Sequence, residues 1–153
     1  MNLTQEPEIV SWPETHYIFI EKIGPFQETA SQAWDNLHRL VSEISTHNKI
    51  TGFMSLYKFK PKMTYRAGVA VTSKPTNLPK GLQYEKFVGG KYSRFILTGP
   101  YSDLPEACGR VFEIVSEKKI EMPDNFCIES YGNDPSKTTP GEKVVTQILI
   151  PTV

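Results

Sequence analysis

The sequence predicts an α+β fold of two tandem β-α-β-β units related by an approximate twofold axis, with antiparallel sheets and a ligand cleft along that axis. Three observations lead there. Gly24-Pro25-Phe26 recurs as Gly99-Pro100-Tyr101; a tyrosine precedes each turn by the same interval, Tyr17 and Tyr92; and an apolar stripe at helical spacing follows each turn. A duplicated unit of this kind has one helix for a two-faced sheet, so pairing two units buries their inner surfaces and leaves a cleft between them. With 153 residues the chain has room for one domain made of two such halves. The first repeat is placed at about residues 8–74, a connector at 75–81 and the second repeat at about 82–153.

The first strand, Tyr17 to Lys22, is rich in β-branched and aromatic residues. It ends at Gly24-Pro25, because Pro fixes its own φ and offers no ladder N–H, while Gly accepts backbone angles other residues avoid. Ala30, Ala33, Trp34, Leu37, Leu40, Val41 and Ile44 then recur at spacings of three and four, predicting one helix of about five turns. Phe53 to Phe59 and Tyr65 to Thr72 follow as a hairpin turning at Lys60-Pro61-Lys62. The connector holds two prolines, and Leu82 to Val88 is one more strand before Gly89-Gly90 opens the second repeat.

The second repeat runs in the same order. Tyr92 to Thr98 is its first strand, and Ser102-Asp103-Leu104-Pro105-Glu106 carries a helix start, with Ser or Asp to cap and Pro suited to the first turn. Leu104, Ala107, Cys108, Val111, Phe112 and Val115 form the stripe of its helix. Phe126 to Tyr131 and Val144 to Ile150 are the closing strands, joined by the turn-rich Gly132 to Gly141.

Composition removes several function classes. Seventeen Lys and Arg balance seventeen Asp and Glu, so a general basic field for nucleic acid is absent. The longest apolar runs are far shorter than a bilayer requires, and the first ten residues lack the basic start and apolar core of a secretory signal, so a cytoplasmic location is expected. Cys108 and Cys127 have no metal-binding or disulfide spacing and read as small buried hydrophobes. His16, His38 and His47 lack metal-ligand spacing, and no serine or glycine motif of a nucleophile or phosphate loop is present. No metal or cofactor, and no catalytic residue, is expected.

The ordered set Gly-Pro-Phe/Tyr, Tyr65-Arg66-Ala67-Gly68-Val69, Gly89-Gly90-Lys91-Tyr92, Gly99-Pro100-Tyr101, Glu129-Ser130-Tyr131-Gly132-Asn133-Asp134-Pro135 and Ile150-Pro151 resembles the GyrI-like family. That family is also called the AraC-type effector-binding, or bacterial transcription activator effector-binding, domain. The resemblance spans roughly residues 6 to 152 and implies a central pocket for small lipophilic molecules, often aromatic or cationic. It further implies a bacterial source and a role in multidrug-type sensing or sequestration. In multidrug-sensing relatives the module is fused to a helix-turn-helix domain. This chain is expected to stand alone, without direct nucleic-acid or membrane contact. The family implies two other functions: binding a protein partner, as gyrase-inhibiting relatives do, and hydrolysis of electrophilic aromatic compounds by the pocket carboxylate with a tyrosine.

Glu129 is the leading candidate for ligand binding. Strand alternation puts Cys127, Glu129 and Tyr131 on one face and Phe126, Ile128 and Ser130 on the other. A carboxylate on an inner face is costly unless a cation or hydrogen-bond donors meet it, and a cationic ligand is one such partner. The resemblance places its characteristic buried Glu here. The other reading has Glu129 facing solvent or paired with Arg66, Lys91 or Arg94. Tyr65, Tyr92 and Phe53 match aromatic pocket walls of the multidrug-binding relatives, and Tyr17 and Tyr131 join them through the repeat and the Glu129 face. Rings offer flat contact area with few rotors, and ordinary core packing is the alternative for each, for Phe53 more than for the tyrosines.

Overall fold

A computed structural model describes residues 1–153. In chain order the elements are β1 (Asn2–Leu3), β2 (Glu8–Trp12), β3 (Thr15–Ile23), α1 (Phe26–His38), α2 (Val41–His47), β4 (Ile50–Lys58), β5 (Thr64–Val71), β6 (Gln83–Phe87), β7 (Gly90–Gly99), α3 (Leu104–Glu117), β8 (Cys127–Tyr131) and β9 (Val144–Pro151). The fold is α+β, with three α-helices and nine strands whose pairings described below are all antiparallel. Two units result: Pro13–Gly89, and Met1–Trp12 together with Gly90–Val153.

In the Pro13–Gly89 unit the strands lie in the order β4-β5-β3-β6. Gly24, at φ 135, turns β3 into α1 in a backbone region that a side chain disfavours. α1 packs over β3 and β5, and its buried face is Thr29, Ala33 and Leu37. The predicted five-turn helix is broken: Leu40, at φ −109 and ψ −6, separates α1 from α2. Leu37 and Ile44 are both fully buried across the break. Their spacing of two helical turns keeps the apolar stripe in phase, so periodicity alone reads through it. Full burial of a side chain such as Ile18, Leu37 or Ile44 is worth roughly 1.5–3 kcal/mol each.

The sheet face away from α1 has its own chemistry. Tyr17 pairs with Ala70, one step out of phase with Tyr65, so the two tyrosines occupy opposite faces of this unit's sheet. The Tyr17 ring lies across Gly68, where a Cβ would come within 2.5 Å of the ring, and its hydroxyl donates to the Met54 carbonyl at 2.9 Å. Arg66 bridges Glu21 and Glu85, both at 2.8 Å, with its guanidinium 4.3 Å from the Phe19 ring centroid.

In the other unit β1 and β2 both pair with β7, and the order continues β7-β9-β8. The sequence put Glu8–Trp12 with the first repeat; in the structure this segment pairs residue for residue with Arg94 to Gly90 of β7. Conversely β6, counted with the second repeat, pairs with β3. Each repeat therefore has an edge strand drawn from beyond its sequence boundary, which covers backbone groups that an open edge would expose. α3 is preceded by a 3-10 turn, Tyr101–Asp103, and buries Ala107, Val111, Ile114 and Val115.

Candidate functional site

Glu129 sits in the middle of β8, opposite Ile148 of the central strand β9. Alternation along β8 brings Tyr131 to the same face, where its hydroxyl donates to the Glu129 carboxylate at 2.7 Å. From α3, the Cys108 thiol donates to the other carboxylate oxygen at 3.3 Å, so this is the helix-bearing face of the unit. Glu129 is 8% exposed. Burial raises its pKa, while hydrogen bonds from Tyr131 and Cys108 act in the opposite direction. Both partners are neutral and no cationic side chain pairs with it.

The three cations weighed as internal partners have other contacts: Arg66 with Glu21 and Glu85, Arg94 with Glu8, and Lys91 with the Val153 carbonyl. Cys127 is buried two residues before Glu129, and burial, with the nearby carboxyl adding to it, pushes its thiol up to about 12. It is a neutral neighbour at physiological pH. Tyr101, from the second Gly-Pro-aromatic turn, sets its ring edge-on to Tyr131 with centroids 5.7 Å apart. Its hydroxyl donates to the Asn133 carbonyl at 3.2 Å.

Tyr92 belongs to the same unit but to the other face. It pairs with Pro151, out of phase with Ile148, and its hydroxyl donates to the Phe126 carbonyl at 2.8 Å. It is fully buried, and burial raises its pKa. Tyr17 is its counterpart in the Pro13–Gly89 unit, fully buried and bonded to a carbonyl of β4. On the face away from the helix each hydroxyl reaches past an intervening strand, Tyr17 from β3 across β5 to β4 and Tyr92 from β7 across β9 to the residue that precedes β8.

In the Pro13–Gly89 unit, Phe53, Ser55 and Tyr57 of β4 share the helix-bearing face with Tyr65 of β5. The Tyr65 and Ser55 hydroxyls are 2.7 Å apart, and the Trp34 indole N–H of α1 donates to Tyr65 at 2.9 Å and reaches Ser55 at 3.3 Å. Phe26, at the start of α1, packs its ring against Tyr57, Phe59 and Tyr65 with centroids 5.3–5.9 Å apart. Phe53 is half-buried on this face.

Of the predicted set, then, Glu129 and Tyr131 form one hydrogen-bonded pair, Phe53 and Tyr65 lie on the ring-rich face of the other unit, and Tyr17 and Tyr92 lie on the opposite faces of their sheets. Sequence reasoning passed over Tyr101, Cys108 and Trp34. Tyr101 had a signal, its place in the repeated turn. Cys108 and Trp34 were absorbed into helix stripes that look like ordinary core. No group of three or more His, Cys, Asp or Glu is placed to hold a metal ion, and no helix is long and apolar enough to cross a membrane.

Comparison with known proteins supplies the family. Residues 5–153 match the model of the GyrI-like small molecule binding domain. No protein with a curated description matches in sequence. Among solved structures, the crystal structure of the EcmrR C-terminal domain aligns over 100% of this chain and 99% of that one, with TM-score 0.76 and 19% identity. In an EcmrR–DNA complex the match has TM-score 0.74 and 18% identity over 97% of this chain, which spans 57% of that protein. SAV2435 bound to tetraphenylphosphonium aligns over 97% of this chain and 94% of that one, with TM-score 0.78 and 16% identity. A hydrolase from Listeria innocua aligns over 98% and 93%, with TM-score 0.60 and 12% identity. At these identities the likeness is one of fold. The match over nearly the whole length establishes that the chain belongs to the GyrI-like family, as a small molecule binding domain.

Proposed function

We propose that the ligand is a small lipophilic cation bearing aromatic rings, and that Glu129 supplies the neutralising charge. The observation that carries this is a carboxyl group only 8% exposed, held by two neutral donors, with no cationic side chain beside it. A buried carboxylate left without a positive partner is an expensive feature of a fold, and a ligand charge offsets that cost. Tyr131 and Tyr101 offer ring surface next to the charge, where an aromatic or cationic group gains quadrupole and dispersion attraction. Tyr65 and Phe53 are proposed as further ring contacts, and Tyr17 and Tyr92 as braces that hold the strands behind them. That SAV2435 was solved with tetraphenylphosphonium supports the ligand class.

Fluorescence titration with ethidium, and competition by tetraphenylphosphonium, tests the reading in wild type and Glu129→Gln. Binding that weakens in the variant supports it; equal affinity in both proteins refutes it.

One observation favours a second reading. The Tyr131 hydroxyl lies 2.7 Å from Glu129, a geometry in which the carboxylate directs water and the phenol donates a proton during hydrolysis of an electrophilic aromatic compound. The Listeria innocua relative described as a hydrolase gives that reading a precedent of fold. Turnover of an activated aryl ester that disappears in both Glu129→Gln and Tyr131→Phe, with the fold intact, would establish it; no turnover by wild type would exclude that substrate.

A further inference from the structure

The two units carry the same strand register, so residues of their paired strands have counterparts in one another. Tyr17 pairs with Ala70 and Tyr92 with Pro151; three residues back along each partner strand, Ala67 pairs with Ser55 and Ile148 with Glu129. Ser55 and Glu129 are thus equivalent positions, as are Tyr57 and Tyr131 two residues further on. The helices correspond with a shift. α1 is helical from Phe26, whereas the equivalent Tyr101 begins a 3-10 turn with fewer residues per turn, so the phase of α3 moves by one position. Ala107 and Val111 take the buried places of Ala33 and Leu37, and Cys108 takes the place of Trp34.

The hydrogen bonds confirm this correspondence. Trp34 Nε1 donates to Tyr65 at 2.9 Å and also reaches Ser55 at 3.3 Å, and Cys108 Sγ donates to Glu129 at 3.3 Å. An indole and a thiol therefore do the same job on equivalent strand residues, but the indole brings a large ring and the thiol none. Trp34 lies against His38 one turn on, with centroids 5.5 Å apart. The counterpart of His38 is Phe112, which is half-buried, as is Cys108.

From this asymmetry, and resting on the proposed function above, we infer that a planar ring of the ligand lies over Cys108 beside Phe112, where the other unit carries the Trp34 indole, and donates an N–H to Glu129 as Trp34 does to Ser55. The ligand class narrows accordingly. A flat aromatic cation with an N–H donor, such as a protonated aminoacridine, satisfies the carboxylate by charge and by hydrogen bond. A permanently alkylated cation of the same shape offers charge alone. Hydrogen bonds to charged groups are the stronger kind, which makes the donor a determinant of selectivity.

The test compares 9-aminoacridine with N-methylacridinium, which share ring and charge but differ in N–H donors. Wild type should bind the first at least about tenfold more tightly. Saturating 9-aminoacridine should slow alkylation of Cys108 by iodoacetamide about tenfold or more, read by mass spectrometry with buried Cys127 as the internal reference. Cys108→Trp, which installs the other unit's ring, should abolish 9-aminoacridine binding with the thermal melt showing the fold kept, while Cys108→Ser, which keeps a small donor to Glu129, retains it. Equal affinity for the two acridines overturns the donor assignment. Binding that depends on Glu129 yet leaves Cys108 alkylation and the Cys108→Trp variant unaffected overturns the ring position and leaves the proposed function standing. Failure of wild type to bind either acridine or tetraphenylphosphonium overturns both.

Discussion

Replacing Glu129 by Gln separates a functional carboxylate from a structural one, because the two effects on the protein have opposite signs. Gln keeps the size of the side chain and an oxygen to accept from Tyr131, now 2.7 Å from the carboxylate, so the packing beneath α3 is retained. Ligand affinity should fall. Truncating one partner of a desolvated charge pair costs about 2–5 kcal/mol, or roughly thirty-fold to a few thousand-fold in Kd. Stability should move the other way. Burial raises the Glu129 pKa, so the folded state holds this proton more tightly than the unfolded chain does. Its favourable contribution is complete below the ordinary glutamate range and disappears as pH rises through the raised folded value. At neutral pH wild type therefore carries an ionisation cost that Gln lacks, and Glu129→Gln should melt at an equal or higher temperature. Titration of ethidium by fluorescence anisotropy, with thermal melts of the same samples at pH 4.5 and pH 7.5, reads both quantities. A variant that binds as wild type does, or that loses affinity and melting temperature together at neutral pH, refutes the reasoning.

Affinity for a cation should strengthen as pH rises from the ordinary glutamate range through the raised range of Glu129, because only the ionised form neutralises the ligand; the groups facing it, Tyr131 and Cys127 from β8 and Cys108 from α3, enter as neutral neighbours. A Kd for tetraphenylphosphonium that is flat from pH 4.5 to pH 8 contradicts this. Tyr131→Phe removes a hydroxyl donor that favours the ionised carboxylate, so the Glu129 pKa should rise further and the pH dependence of cation binding should shift upward, weakening affinity on its acid side, as followed by calorimetry. Gly68→Ala drives a Cβ to 2.5 Å from the Tyr17 ring and from the Ile18 carbonyl; overpacking of this kind costs about 1–3 kcal/mol or more, and urea unfolding should show it. Unchanged stability there would mean that Tyr17 moves aside easily and does not brace the sheet.

Much of the fold was legible because it depends on local patterns. The Gly-Pro turns end β3 and β7 where Pro withholds a ladder donor, and the apolar spacing after each turn marks α1 and α3. Alternation along Cys127-Ile128-Glu129-Ser130-Tyr131 was enough to put Glu129 and Tyr131 on one face. What stayed hidden depends on partners distant in sequence. Tyr17 and Tyr65 have similar strand contexts, and only the pairing of Tyr17 with Ala70 shows that they occupy opposite faces. The exchange of edge strands is equally non-local, since Glu8–Trp12 pairs with β7 rather than with its own repeat. The role of Cys108 turns on a single 3-10 turn that rotates α3 by one residue, and on a hydrogen bond to a distant strand that an apolar stripe does not record. Trp34 looked like core because it falls on the apolar stripe of α1; it is half-buried, and its indole N–H, which reaches Tyr65 and Ser55, is the informative part.

The most direct measurement of the central claim is a crystal structure of the protein with tetraphenylphosphonium or 9-aminoacridine bound. The positive centre should lie within about 4–6 Å of the Glu129 carboxylate, the range over which an opposite charge stabilises an ionised acid, with Tyr131 still donating to it. A ligand bound far from that carboxylate, or one that leaves Glu129 capped only by Tyr131 and Cys108, would contradict it.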